Sequence, residues 1–198
     1  MNITVYCGAN AGKDTAFMER AYELGTWIAE NGHRLVYGAG DVGLMGVVAN
    51  AVLAGGGEVI GVTPDFFILA EEIHEGLTDL RVTADLSERR KVMIDEGDAF
   101  IALPGGTGTL DEISEVMSLR RLGKLGEVTR PVMLYNINGY YDHLFRFLDR
   151  MTEEGFHGKE DRAAIHEVRS IEDIAEVIRM AGSEDLTRNE RYDRQLSV

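Results

Sequence analysis

The 198-residue sequence has a single cysteine, Cys7. No disulfide can form within the chain, and a secreted, disulfide-stapled scaffold is excluded. The five histidines, His33, His74, His143, His157 and His166, show no ligand spacing, so no metal site is expected. Nothing approaches the ~18 consecutive apolar residues that a membrane-spanning helix needs. Met1 to Cys7 is short and strand-like, without a basic region or an apolar stretch of signal length, and the expected location is the cytoplasm. Positive charge is scarce as well: 20 basic residues face 34 acidic ones, for a net charge of −14. A field of that sign repels polyanions, so neither nucleic acid nor an anionic membrane surface is an expected partner. A small anion can still bind where backbone N–H groups and one or two arginines converge.

What is present is an ordinary globular composition, 44% hydrophobic and 27% charged, in a chain long enough for one well-buried core. Short apolar runs alternate with helical periodicity, the pattern of a mostly parallel sheet with helices on both faces. The expected class is a Rossmann-like open α/β fold. Strands are expected at Ile3–Cys7, Arg34–Tyr37, Glu58–Thr63 (stopped by Pro64), Leu80–Thr83, Ala99–Leu103 and Pro131–Tyr135. The periodicity predicts helices from Phe17 to Ile28, closed by Gly32, then over Leu44–Ala54, Thr109–Leu122 and Tyr140–Glu154. Asp85 with Glu88 makes a capping box for a helix from Leu86 to Glu96. Ser170 with Asp173 caps a last helix reaching about Met180. The irregular segment Asp65–Asp79 reads as a flap. Residues 1–182 read as one nucleotide-binding domain, and 183–198 as a polar tail, frayed or a peripheral helix.

Two glycine loops stand out. Pro104-Gly105-Gly106-Thr107-Gly108-Thr109 lies between a buried strand and a helix, at the sheet's carboxyl edge, where open α/β folds bind ligands. Glycines admit close approach of an anion, the helix end offers unpaired N–H groups, and Thr107 and Thr109 add hydroxyls. The bland alternative is a tight turn without a ligand. Gly38-Ala39-Gly40-Asp41-Val42-Gly43 formally matches the dinucleotide fingerprint G-x-G-x-x-G. A nicotinamide-dependent oxidoreductase would, however, leave the second loop without a role, and one mononucleotide touched by both loops explains more. A third stretch, Gly8 to Asp14, fails as a P-loop: three residues separate its glycines, and Asp14 stands where a magnesium-binding hydroxyl is required.

Glu112 follows Thr109 by three residues, so its carboxylate can reach back toward whatever the loop holds, with Asp111 and Glu115 as neighbours. The alternative is that these acids complement the helix dipole. Arg89, Arg90 and Lys91 form a basic triplet behind the capping box, which reads either as a solvated helix face or as one arginine turned toward a substrate. Tyr140 and Tyr141 read as packing or interface residues.

Tyr37-Gly38-Ala39-Gly40, Gly43-Leu44-Met45-Gly46, Pro104 to Glu112 and Gly139-Tyr140-Tyr141-Asp142 together resemble the LONELY GUY family over about residues 2–156. These are cytokinin riboside 5′-monophosphate phosphoribohydrolases, long labelled lysine decarboxylases. No lysine here has a recognisable cofactor-binding context. The resemblance implies hydrolysis of a nucleoside 5′-monophosphate, AMP or an N6-substituted form, to free base and ribose 5-phosphate without a cofactor. It places the catalytic arginine on Arg89 and the catalytic glutamate on Glu112. Substrate contacts are implied at Gly38, Gly40, Gly43, Arg90, Met93, Gly105, Gly106, Thr107, Gly108, Thr109 and Glu115. It implies at least a homodimer, in keeping with apolar Leu110, Ile113, Met117 and Leu119 around much of one helix. This chain departs from the family at Thr107, where Tyr is frequent, and at Ser118-Leu119-Arg120-Arg121, which bear on the base preferred. The alternative of another class is a phosphate-ligand binding module like the molybdenum-cofactor carriers.

Overall fold

The computed structural model describes residues 1–68, 73–126 and 130–196. The flap expected over Asp65–Asp79 lies partly outside the described residues, as do part of the connection Lys124–Arg130 and the end of the tail.

Seven described strands form one parallel sheet: β1 (Asn2–Tyr6), β2 (Arg34–Tyr37), β3 (Glu58–Pro64), β4 (Asp79–Thr83), β5 (Ala99–Ala102), β6 (Val132–Tyr135) and β7 (Ile165–Val168). Their order is β4-β3-β2-β1-β5-β6-β7, and every ladder is parallel. The inner strands are apolar on consecutive residues, as in the Ala99–Ala102 run, because helices cover both faces. Along β1 the side chains divide: Ile3 and Val5 enter one core layer, and Tyr6 enters the other.

The helices are α1 (Thr15–Glu30), α2 (Gly43–Ala54), α3 (Asp65–Ile68), α4 (Leu86–Glu96), α5 (Thr107–Arg121), α6 (Asp142–Glu153), α7 (Lys159–Ala163) and α8 (Ile171–Leu196). Helices α1, α2 and α8 flank the layer with Ile3 and Val5, while α4, α5 and α6 flank the layer with Tyr6. Strand order reverses between β1 and β5. The loops leaving these two strands therefore part in opposite directions and open a crevice at the carboxyl edge. They stay joined at its base, where Gly8 N donates to Pro104 O at 3.0 Å.

Four expectations need correction. α5 begins at Thr107 with Gly106 as its N-cap, two residues before the expected start, so Glu112 sits in the second helical turn. Its carboxylate is therefore no mere complement to the first-turn dipole. β3 runs one residue beyond its expected end and includes Pro64, which pairs with Thr83 of the edge strand β4. Helix α7 and strand β7 were not expected, since four residues with an exposed Glu167 give little period-2 signal. Finally, the last helix does not end near Met180 but continues to Leu196.

Candidate active site

Arg89 owes its direction to the start of α4. Asp85 accepts from Glu88 N at 2.8 Å and Glu88 reaches back to Ala84 N at 2.7 Å, which fixes the first turn. Arg89 then lies over the sheet edge, donating from Nε to Val62 O at 3.0 Å. A β-carbon on Gly38 would stand 2.1 Å from Arg89 Nη2, so the bare backbone after β2 is what lets the guanidinium lie there. Across the cleft, Arg89 Nη1 is 3.4 Å from Glu112 Oε1, with side chains only 14% and 12% exposed. Burial raises the Glu112 pKa above the ordinary carboxylate range, with Asp111 adding to it; Arg89, and more weakly Arg90, pull it back.

Above this pair stands the amino end of α5. Its first intrahelical bond, Leu110 N to Gly106 O at 3.1 Å, leaves the N–H groups of Thr107, Gly108 and Thr109 outside the ladder. A β-carbon on Gly106 or Gly108 would meet nothing within 4 Å. Their backbone faces open space, and the helix end can receive an anion at close range. The cleft has a volume of about 220 Å³, and its lining includes Gly38, Arg89, Met93, Gly106, Gly108, Thr109 and Glu112. Those seven of the anticipated residues are brought together.

The other anticipated residues lie beside the cleft. Arg90 turns away from it, donating to Glu115 at 2.6 Å and to Asp111 at 3.0 Å, so Arg90 and Glu115 clamp α4 to α5. Lys91 pairs with Asp95 at the surface. Gly40 packs against Met45, and Gly43, at φ +60°, against the Ala9 and Asn10 backbone. Gly105 lies under the Thr109 hydroxyl, and Thr107 is exposed. A second cleft of about 210 Å³ adjoins Gly105 and Gly106 on their other side, lined by Gly12, Phe17 and Tyr140 among others. Tyr140 donates to Gly105 O at 2.5 Å and Tyr141 to Leu103 O at 2.7 Å, so both brace the loop from behind. In the loop that fails as a P-loop, Asp14 caps α1 by accepting from Ala16 N at 3.0 Å.

Reading of the sequence missed Val5, Tyr6, Cys7, Ala9, Met45 and Phe67 in the lining. The first four were open to inference, because they end β1 or lie in the loop that leaves it at the crevice. Phe67 comes from α3, in a segment without periodicity, and nothing in the sequence marked it. Among the described residues no lysine lines the cleft, and no group of three His, Cys, Asp or Glu side chains is placed to hold a metal ion.

A family model described as "Possible lysine decarboxylase" matches residues 45–178. A cytokinin riboside 5′-monophosphate phosphoribohydrolase of Rhodococcoides fascians is 41% identical over 179 residues, covering 90% of this chain and 89% of the relative. A relative from Oryza sativa subsp. japonica, named as a probable enzyme of the same kind, is 44% identical over 78% of this chain. That match spans only 61% of the rice protein's own length. Among solved structures, a molybdenum cofactor carrier protein of Chlamydomonas reinhardtii superposes with a TM-score of 0.69 at 20% identity, covering 92% of this chain and 98% of the other. A molybdenum cofactor binding protein of Rippkaea orientalis reaches 0.66 at 23% identity, covering 90% and 95%. At those identities the likeness concerns the fold.

Proposed function

The chain belongs to the LONELY GUY family, and from that premise we propose that it hydrolyses the N-glycosidic bond of a nucleoside 5′-monophosphate to free base and ribose 5-phosphate. The observation that carries this reading is the convergence of the largely buried Glu112 and Arg89, from different helices, in a cleft beneath the amino end of α5. The 5′-phosphate docks at Gly106 to Thr109, where backbone N–H groups and a positive helix end await it. The loop Gly38–Gly43 supports the site from the other side, chiefly by seating Arg89. The ribose then lies over Glu112, and the base points toward Met45, Phe67 and Met93.

Breaking the C1′–N bond builds positive charge on the sugar. The Glu112 carboxylate stabilises that charge and orients a water molecule. The water oxygen bonds to C1′ as the bond pair leaves with the base, which gains one proton while the water gives one up. Arg89 holds the carboxylate in its charged form and positions the nucleotide. Each well-placed charge of this kind is worth about 3 kcal/mol of barrier. No metal or redox cofactor enters the scheme. The carrier reading gives the Glu112 carboxylate beside Arg89 no chemical task.

The proposed assembly is at least a homodimer. α5 buries Ile113 and Val116 in the core while Leu110 is 44% exposed on another side, and Leu122, its C-cap, is 60% exposed. Sedimentation as a monomer at micromolar concentration would contradict this. No described helix is long and apolar enough to cross a membrane, and the proposed location is the cytoplasm. The deciding experiment incubates the protein with AMP and N6-substituted adenosine monophosphates in the presence of a chelator. Free base and ribose 5-phosphate are expected in equal amounts; no release from any member of the panel overturns the reading in favour of a carrier.

A further inference from the structure

One polar group in the cleft wall has no part in the reaction so far. Tyr6 ends β1 on the side of α4 and α5, and it lines the cleft beside Arg89 and Glu112. The residue is 1% exposed, and its hydroxyl has no hydrogen-bond partner in the structure. Tyr141, in the same core layer and similarly buried, donates to Leu103 O at 2.7 Å. The layer can thus satisfy a phenol whose role is structural. The buried hydroxyls of Tyr37 and Tyr135, in the opposite layer, are also unpartnered, so what sets Tyr6 apart is its place in the cleft lining beside Arg89 and Glu112. Burial, then the negative charges of Glu112 and Glu115, keep this phenol protonated against the opposing pull of Arg89. It remains a neutral O–H, able both to donate and to accept.

We propose that the Tyr6 hydroxyl is a third polar member of the reaction centre, which holds the attacking water against Glu112. The inference rests on the phosphoribohydrolase reading above. The water accepts from Tyr6 O–H and donates to the Glu112 carboxylate, which leaves a lone pair free to face C1′. As its oxygen bonds to C1′, the C1′–N bond pair leaves with the base and one water proton passes to Glu112. That proton returns by way of solvent to the departing base, and Tyr6 keeps its own. Orientation of this kind acts on the chemical step and not on the grip of the phosphate.

The test is Tyr6→Phe beside the wild type, assayed for base release from AMP. The proposal expects kcat at least tenfold lower, with unchanged KM and unchanged inhibition by ribose 5-phosphate, and a melting temperature equal to or above the wild type. A wild-type kcat in the variant overturns it and leaves the proposed function standing. A kcat loss that tracks a lowered melting temperature makes Tyr6 a packing residue and also overturns it. Absence of turnover in the wild type itself would strike at the functional reading, and a second measurement then decides on Tyr6. Carboxyl ¹³C titration of Glu112 should move upward by half a unit or more in Tyr6→Phe, because a donor linked through water favours the charged form. Arg89, Arg90 and Asp111, which also act on Glu112, are the same in both proteins. An unmoved Glu112 titration overturns the proposal.

Discussion

A β-carbon on Gly46, just past the loop that follows β2, would stand 2.1 Å from the Asp41 carbonyl oxygen; one on Gly43 would stand 2.3 Å from the Ala9 backbone. In the loop that follows β5, a β-carbon on Gly106 or Gly108 would meet nothing within 4 Å. The two loops look alike as strings of glycine and serve different ends. Around the first, the missing side chains let chain pack on chain and Arg89 lie across Gly38. At the second, they leave a helix end bare toward solvent. Packing explains the first set of glycines and also Gly105, whose β-carbon would stand 2.1 Å from the Thr109 hydroxyl; on the proposed reading, a phosphate that must come close explains Gly106 and Gly108.

Each loop also governs one charge: the first seats Arg89, and the second opens the helix that carries Glu112. The largest effects should follow from removing either. Glu112→Gln and Arg89→Ala are each expected to lower turnover about a hundredfold or more while the protein stays folded. Near-normal turnover in either folded variant would remove that residue from the mechanism. The pH profile sharpens the point. Burial raises the Glu112 pKa and Arg89 restrains it, and in the proposed mechanism the working form is the carboxylate. Activity should therefore rise with pH along a limb above the ordinary glutamate value of about 4.3. Without the opposing charge, the residual activity of Arg89→Ala should show that limb at still higher pH. A limb at or below the ordinary value would mean that Glu112 is solvated during catalysis.

If the second loop holds the phosphate, losing the phosphate should reach the chemistry as well as the affinity. Contacts to a remote, unreacting group hold the sugar in reactive geometry. Adenosine is expected to be poorer than AMP by about two orders of magnitude in kcat/KM, for ~3 kcal/mol of lost contacts. Ribose 5-phosphate should inhibit and free ribose should not. Equal efficiencies for AMP and adenosine would reduce Gly105 to Thr109 to a turn and erase the contrast between the loops.

The contrast can also be broken by adding methyl groups. Gly46→Ala forces a β-carbon into backbone and should cost about 1–3 kcal/mol of stability, or more if the loop cannot shift. Gly108→Ala should do the reverse. The position is helical and open, where alanine is favoured over glycine by about 1 kcal/mol, so the melting temperature should hold or rise. The same methyl group stands at the proposed phosphate site, and KM for AMP should rise about tenfold. A Gly108→Ala variant with unchanged KM would place the phosphate elsewhere; a Gly46→Ala variant of full stability would show the first loop to be freer than its contacts imply.

Both loops were legible in the sequence because glycine beside a strand end signals an unusual backbone, and so were the capping boxes that start α4 and α8. Their difference was not, since it depends on what each missing β-carbon would meet after folding. Arg89 and Arg90 are adjacent and chemically alike, and reading the residues alone could not say which one faces the cleft. Helical phase decides that: a step of 100° sends Arg89 over Gly38 and Arg90 to Asp111 and Glu115. Strand β7 escaped notice because an edge strand is polar on its open side, and Phe67 because α3 is too short to show a period.

The smallest expected effect concerns how the second loop is braced. Tyr140 and Tyr141 follow one another, yet their hydroxyls take different carbonyls, Gly105 O and Leu103 O. Tyr140 is 44% exposed and Tyr141 6%. In Tyr140→Phe, water can take over the Gly105 carbonyl, so stability should fall by no more than about 1 kcal/mol. The loop then loses a fixed tether directly before the proposed phosphate site, and KM for AMP should rise about threefold with kcat within twofold of wild type. In Tyr141→Phe the carbonyl of Leu103 loses its partner away from solvent, at a cost of about 1–3 kcal/mol. That carbonyl belongs to the end of the strand and not to the phosphate-facing turn, so KM should stay near wild type in whatever fraction remains folded. Thermal melts and steady-state kinetics on the two variants separate these outcomes. A KM change in Tyr141→Phe without one in Tyr140→Phe would move the seat of the phosphate from Gly106 and Gly108 back toward the strand end.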